Sequence, residues 1–330
     1  MANQVASLSA EGISIKEESP GRVIFNRFRR HKLAMISLGV ISVIFLTSIF
    51  VKYIAPFKPN QILVGDYFLP FGAKDLVTGK IHIFGTDHIG RDYFSRLLYA
   101  GRISLTVALV SVIVSEVVGV VVGAYAGYFG GLVDNILMRF VEFLITVPQI
   151  PLLLIISSML MQNPDLIPIP KSVLWTMGKI MLLPPNDARQ AVLIIMVLAG
   201  LGWMTAAQLM RGMVLSLREM TFVEAARSMG ASDVHIIFRH MIPNAMAPII
   251  VDASLGMAGY VVAEAALSFL GFGIQDPIPT WGNMLSATQE FMFDKPWLPL
   301  VPGMPIFLCS LCFNFIGDGL RDALDPRLKR

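Results

Sequence analysis

At about 150 residues per domain, a chain of 330 residues would form two soluble domains. The composition excludes this: 55% of the residues are hydrophobic and 15% charged, with a mean hydropathy of +0.67, whereas soluble chains are about a quarter charged. Collagen, coiled coil, disulfide-rich toxin and disordered tail are excluded with it, and a net charge of +3 is too small to imply nucleic acid.

In chain order, a basic run of Arg22, Arg27, Arg29, Arg30 and Lys32 follows Glu18 and precedes the first apolar segment. A hydrocarbon core about 30 Å thick requires roughly 20 apolar residues in a helix. The segments that qualify are 33–55, about 103–127, 133–160, 190–210, 246–270 and 300–316; the first is interrupted only by Lys52, which can snorkel. The expectation is an all-α polytopic membrane protein with six transmembrane helices. Lys and Arg flanking the spans set the orientation. The basic start, then Arg211, Arg218, Arg227 and Arg239, and finally Arg321, Arg327, Lys329 and Arg330 belong to the cytoplasmic side, which places both termini there. The first span begins too late for a removed signal peptide and lacks a small-residue cleavage site, so it reads as an uncleaved anchor.

The expected organisation is a cytoplasmic segment 1–32, a first transmembrane helix 33–55 and an extracytoplasmic loop 56–102. A five-helix core 103–317 contains a cytoplasmic segment 211–245, and a cytoplasmic tail 318–330 follows. In the first outer loop, Asp66, Asp75, Asp87 and Asp92 offset the basic residues. The second outer loop, 162–189, carries Pro164, Pro168, Pro170, Pro184 and Pro185 and is expected to be extended and irregular; a third covers 271–299.

The signatures of an enzyme are missing. Gly79-Lys80 and Gly178-Lys179 are each followed by Ile, so there is no phosphate-cradling G-x-x-x-x-G-K-[ST] loop; zinc-protease and nucleophile-elbow motifs are absent too. His82 and His88 read as solvated loop residues rather than a metal pair. Cys309 and Cys312 sit in an apolar run with no His or further Cys near them, and read as small hydrophobes.

The informative cytoplasmic stretch runs from Thr221 to Asn244. Thr221 with Glu224 three residues later reads as a capping box at a helix start. Gly230 can take the left-handed conformation that ends a helix. Ser232 can cap a second short helix, and Pro243 is expected to stop it before the fifth span. Ala225 and Ala226 leave a slim face able to enter a groove on a partner. An interfacial helix lying on lipid headgroups is the other reading of the same residues.

A resemblance favours the partner. Glu224-Ala225-Ala226, then Gly230, then Ile242-Pro243 resembles the signature of ABC-importer permeases, in which this segment is the coupling helix that docks into a cleft on the ATPase subunit. The run from Phe84 to Asp92, followed by Ser95-Arg96-Leu97, is similar to the outer-loop signature of the dipeptide, oligopeptide and nickel permeases. The stretch from Glu264 to Gly273 and the ending from Gly317 to Arg327 match that branch as well, and the start from Arg27 to Leu33 resembles its C-type subunit. His240 and Met241-Ile242 depart from the commoner pattern, and the outer loops 57–83 and 162–189 look longer than typical.

The resemblance implies a type I ABC-importer permease fold in a bacterial or archaeal cell membrane. It also implies a homologous second permease, two cytoplasmic ATPases that hold ATP and Mg, and an extracytoplasmic peptide-binding protein. By the same resemblance Glu224, Ala225, Ala226, Arg227, Gly230, Ala231 and Pro243 belong to the coupling loop, with Arg227 able to meet acidic residues of the ATPase. Nickel chelates and other solutes are the alternative cargo. A self-sufficient secondary transporter would need an inverted repeat or broken helices about a midplane site, and neither is visible in the sequence. An export or signalling permease would share the coupling loop but not the outer-loop signature.

Within the spans, acidic residues are expensive and are suspected of function. Glu116, Asp252 and Glu264 are candidates for the translocation path, the competing reading being that they pair with polar groups between helices. Gly119, Gly123 and Gly127 recur every four residues and form a smooth stripe suited to close helix packing.

Overall fold

The computed structural model describes residues 20–325 except 63, 64, 66, 76 and 77, so Glu18, Asp66, Arg327, Lys329 and Arg330 lie outside the described residues. The basic start folds as a helix, α1 (Pro20–Arg30), which the hydropathy pattern alone did not reveal. α2 (Lys32–Ile49) follows across His31, whose Nδ1 accepts the Ala34 amide at 3.1 Å and caps the helix. A short α3 (Val51–Ile54) leads into the outer loop, which holds a two-stranded antiparallel hairpin of β1 (Ala73–Lys74) and β2 (Ile81–His82).

α4 (Tyr93–Phe129) is the longest helix. It starts before the apolar stretch because Asp92 caps it, accepting the Ser95 amide at 2.7 Å. α5 (Gly131–Thr146) and α6 (Gln149–Gln162) meet at 90°, so 133–160 is not one straight span. Pro148 is the cause: it holds Val147 extended, at φ −78° and ψ 129°, and cannot continue the helix.

α7 (Lys171–Met181) and α8 (Pro185–Gly202) meet at 97°. α7 lies within 162–189 and corrects the expectation of an irregular loop. The prolines stand where helices begin, Pro170 just before α7 and Pro185 in the first turn of α8, where no amide is needed. The expected span 190–210 begins earlier and is divided at Trp203, between α8 and α9 (Met204–Leu217).

Beyond α9 come α10 (Thr221–Ser228), α11 (Asp233–His235), a π-helical turn (Ile236–Met241) and α12 (Ile242–Phe269). α13 (Trp281–Ser286) and α14 (Trp297–Leu324) complete the described chain. Among the described residues, 4 helices are long and apolar enough to cross a membrane by themselves, or up to 6 if each bent pair is one span. Leu33, Ile36, Val43 and Leu46 of α2 are exposed, as helix faces turned to lipid are.

α4 lies at the centre and packs against α2, α8, α9 and α12. One apolar cluster joins α2, α4, α12 and α14 around Trp281, Met257 and Phe313. A second joins α4, α6, α7 and α8, and a third, at the inner end, joins α4 and α9 to the α10–α12 stretch. The glycines of α4 meet α9: a Cβ on Gly119 would stand 2.5 Å from Ala206 Cβ, one on Gly127 2.9 Å from the Arg211 carbonyl, and one on Gly123 would overlap the Ala207 carbonyl. Cys309 and Cys312 are buried and free.

Candidate functional site

The segment after α9 turns helical one residue earlier than its sequence indicated. Met220 is the N-cap of α10 and makes no side-chain cap, so Thr221 is already the first helical residue. Glu224 then falls one position too late to reach back, and the capping box does not form. Glu224 and Ala225 are exposed, whereas Val223 and Ala226 are 1% and 3% exposed and pack under α4 and α9. Of the two alanines, only Ala225 lies on the outer face.

Gly230 has φ +82°, and with it the Ala231 amide reaches the Ala226 carbonyl at 3.1 Å, closing the helix end. Ser232 caps α11 through the His235 amide. Pro243 does not stop the second helix. It sits in the first turn of α12, where its missing amide is tolerated, and the π-helical turn ahead of it carries the coil through. Asn244 Nδ2 donates to the His240 carbonyl at 2.7 Å beside it. The segment is therefore two short helices folded about a glycine. Met229 is 82% exposed at the bend, with Phe222, Val234 and Phe238 also exposed. Arg227 Nη2 lies 3.4 Å from the Tyr128 hydroxyl, a bond that raises the guanidinium above its ordinary pKa.

The three acidic residues of the spans separate into two groups. Glu116 and Asp252 line one cavity of about 230 Å³ together with Gln149, Thr205 and Tyr260. The Tyr260 and Ser115 hydroxyls share a hydrogen bond of 2.5 Å at its side, and the buried Oε2 of Glu116 has no hydrogen-bond partner among the described residues. Glu264 is elsewhere and 0% exposed, accepting from Ser104 and Ser268 Oγ at 2.8 Å each. Ser104 also takes the Trp281 amide at 3.2 Å, so this carboxylate knits α4, α12 and α13. An apolar cavity of about 470 Å³ adjoins the polar one between α6, α12 and α14.

The loops before α4 and after α12 hold what the sequence did not disclose. His82 is 0% exposed, 2.7 Å from Asp92 and stacked on Phe57, so it is neither solvated nor paired with His88. Asp87 receives Arg91 Nε at 2.6 Å. Arg91 Nη1 meets both oxygens of Asp276 at 2.9 Å; Arg96 also binds Asp276, and reaches Asn60 Oδ1 at 2.8 Å. The spacing D-x-x-x-R-D-x-x-S-R over 87–96 was a usable signal, but its partner Asp276 lies far along the chain. Among the described residues no group of three or more His, Cys, Asp or Glu could hold a metal ion.

Residues 119–330 match the family described as the inner membrane component of binding-protein-dependent transport systems, and residues 19–70 match the N-terminal transmembrane domain of oligopeptide transport permease C. The chain is similar to the oligopeptide transport system permease protein OppC of Salmonella typhimurium, 37% identical over 332 residues covering 99% of each chain. It is also similar to the dipeptide transport system permease protein DppC of Alkalihalophilus pseudofirmus, 36% identical over 94% of this chain and 91% of that one. A putative peptide permease protein of Brucella suis is 36% identical over 92% of this chain and 89% of the relative.

Proposed function

The chain belongs to the family of inner membrane components of binding-protein-dependent transport systems, and from that premise we propose that it is one permease subunit of an ATP-driven importer of di- or oligopeptides. The named peptide permeases it resembles along nearly their whole length support the cargo. Six spans, with each bent pair counted as one, would place both termini and the segment 211–245 in the cytoplasm, with 56–102 outside.

ATP and Mg would be held by two ATPase subunits, and a second permease and an extracytoplasmic peptide-binding protein would complete the assembly. In this reading Glu224, Ala225, Arg227, Gly230 and Ala231 present the docking element, Ala226 and Pro243 anchor it to the spans, and closure of the ATPases moves it. The recess of Glu116 and Asp252 would lie beside the path, where carboxylates offset the desolvation of a cationic amino terminus. Glu264, bonded on both oxygens, would hold the helices together.

The observation that carries the reading is the exposed, glycine-folded projection of α10 and α11, whose outer face sets Phe222, Met229 and Val234 among the charged Glu224, Arg227 and Asp233 while its inner face is buried under α4 and α9. Gly230→Pro in the assembled complex tests it. The substitution is incompatible with φ +82°, and substrate-stimulated ATP hydrolysis should be lost while the chain still reaches the membrane. Intact stimulation would sink the docking role.

A further inference from the structure

At the inner end of α4 a single side chain touches both limbs of the cytoplasmic segment. Tyr128, 6% exposed, donates its hydroxyl at 2.5 Å to Oδ1 of Asp233, the first residue of α11. The Tyr128 hydroxyl oxygen in turn accepts from Arg227 Nη2 of α10 at 3.4 Å, and the guanidinium carbon stands 5.7 Å from the Tyr128 ring centroid. Apart from Arg218 Nη1, which donates to the Gly127 carbonyl at 3.4 Å before α10 begins, the remaining contact between α4 and the segment is apolar, through Val120 and Ala124 against Val223, Ala226, Ile236 and Ile237. Apolar contact is non-directional and permits sliding. Hydrogen bonds to charged groups are directional and stronger than neutral ones, and they fix an angle.

We propose that Tyr128 is the positioning residue through which the docking segment acts on the spans. Bracketed by Arg227 on one short helix and Asp233 on the other, it fixes the angle between them and passes their displacement to α4. α4 also carries Glu116 of the polar recess and the glycine stripe locked on α9, so the path from Tyr128 to the recess runs along one unbroken helix. The proposal rests on the docking reading of 211–245. It adds a residue outside that segment, on the second span, and gives Arg227 a partner within this chain.

The test uses the complete importer in proteoliposomes, with peptides transported per ATP hydrolysed as the readout. Tyr128→Phe keeps the ring under Arg227 and removes only the hydroxyl. The ATPases should still co-purify and hydrolyse ATP, while peptides moved per ATP fall about tenfold, as loss of hydrogen bonds to charged groups implies. Asp233→Ala should lower the ratio in the same direction, and the double variant should fall no further than Tyr128→Phe alone, since that variant already removes the bond to Asp233.

An unchanged transport ratio in Tyr128→Phe, or additive losses in the double variant, overturns the proposal. If Tyr128→Phe fails to assemble, the exposed Asp233→Ala decides alone: a normal ratio there assigns Tyr128 to packing only. Should Gly230→Pro leave stimulated hydrolysis intact, the docking reading falls and this proposal with it. Loss in Gly230→Pro with a normal ratio in Tyr128→Phe removes only the positioning role.

Discussion

The loop cap around Asp87 and Asp276 and the glycine-folded projection of α10 and α11 use polar residues in opposite ways. In the cap, Asp87, Arg91, Asp92, Arg96 and His82 are all at most 4% exposed and bonded to one another, to Asp276 or to helix amides. In the projection, Glu224, Arg227 and Asp233 are exposed, and the polar ties to α4 are few: the Tyr128 hydroxyl with Asp233 and Arg227, and Arg218 with the Gly127 carbonyl. A closed network fixes geometry by itself, whereas a projection tied at few points and exposed elsewhere is held less tightly. The comparison explains how charges scarce in the sequence serve architecture at one end and contact at the other.

The sharpest way to break the comparison is Arg91→Ala. Its loss leaves the Asp87 carboxylate buried without its cation, which costs about 3–5 kcal/mol. The purified complex should show a thermal midpoint lowered by many degrees, with folded protein recovered in poor yield. Next in size is Gly123→Ala, whose methyl would overlap the Ala207 carbonyl and push α4 off α9. Overpacking of this kind costs about 1–3 kcal/mol, read as a smaller fall in the same midpoint. The smallest effect on stability belongs to Met229→Ser, within about 0.5 kcal/mol because the side chain is 82% exposed. If the inner face is a contact surface, this variant nonetheless weakens co-purification of the ATPases. A large stability loss for Met229→Ser, or none for Arg91→Ala, would erase the contrast between the two ends.

How much of this was legible depends on the range of each signal. The first, second, fifth and sixth apolar runs were legible because hydropathy is local, and so was the turn at Gly230, where a single residue type answers a single backbone need. The bend at Pro148 had its signal in the sequence, but a continuous apolar run on both sides masked it. α7 was hidden for the opposite reason: prolines were read as breakers when they stood at helix starts. The capping box at Thr221 and Glu224 failed by one residue, since Met220 and not Thr221 ends the turn from α9, and a cap motif specifies spacing but not register. Pro243 was misread likewise, for a proline in a first turn and a proline after a last turn look alike in sequence. The outer network was the least visible: Asp276 meets Arg91 and Arg96 only after the chain has crossed through α4 to α12, and no local pattern encodes such a meeting. Of the acidic residues, sequence could nominate Glu116, Asp252 and Glu264 together, and only the packing of α4 against α12 separates the recess from the knot at Ser104 and Ser268.

The glycine face of α4 has a consequence for how the protein is made. Its partner surface on α9 is synthesised only after α5, α6, α7 and α8, so α4 must enter the bilayer with Gly119, Gly123 and Gly127 open to acyl chains. A smooth face without polar side chains tolerates that wait, because helix backbones in lipid satisfy their own hydrogen bonds. Closure of α4 on α9 therefore follows the synthesis of α9, and a chain interrupted before it would leave the central helix held only by the elements that precede α9, α2 and α8 among them, with its glycine face uncovered.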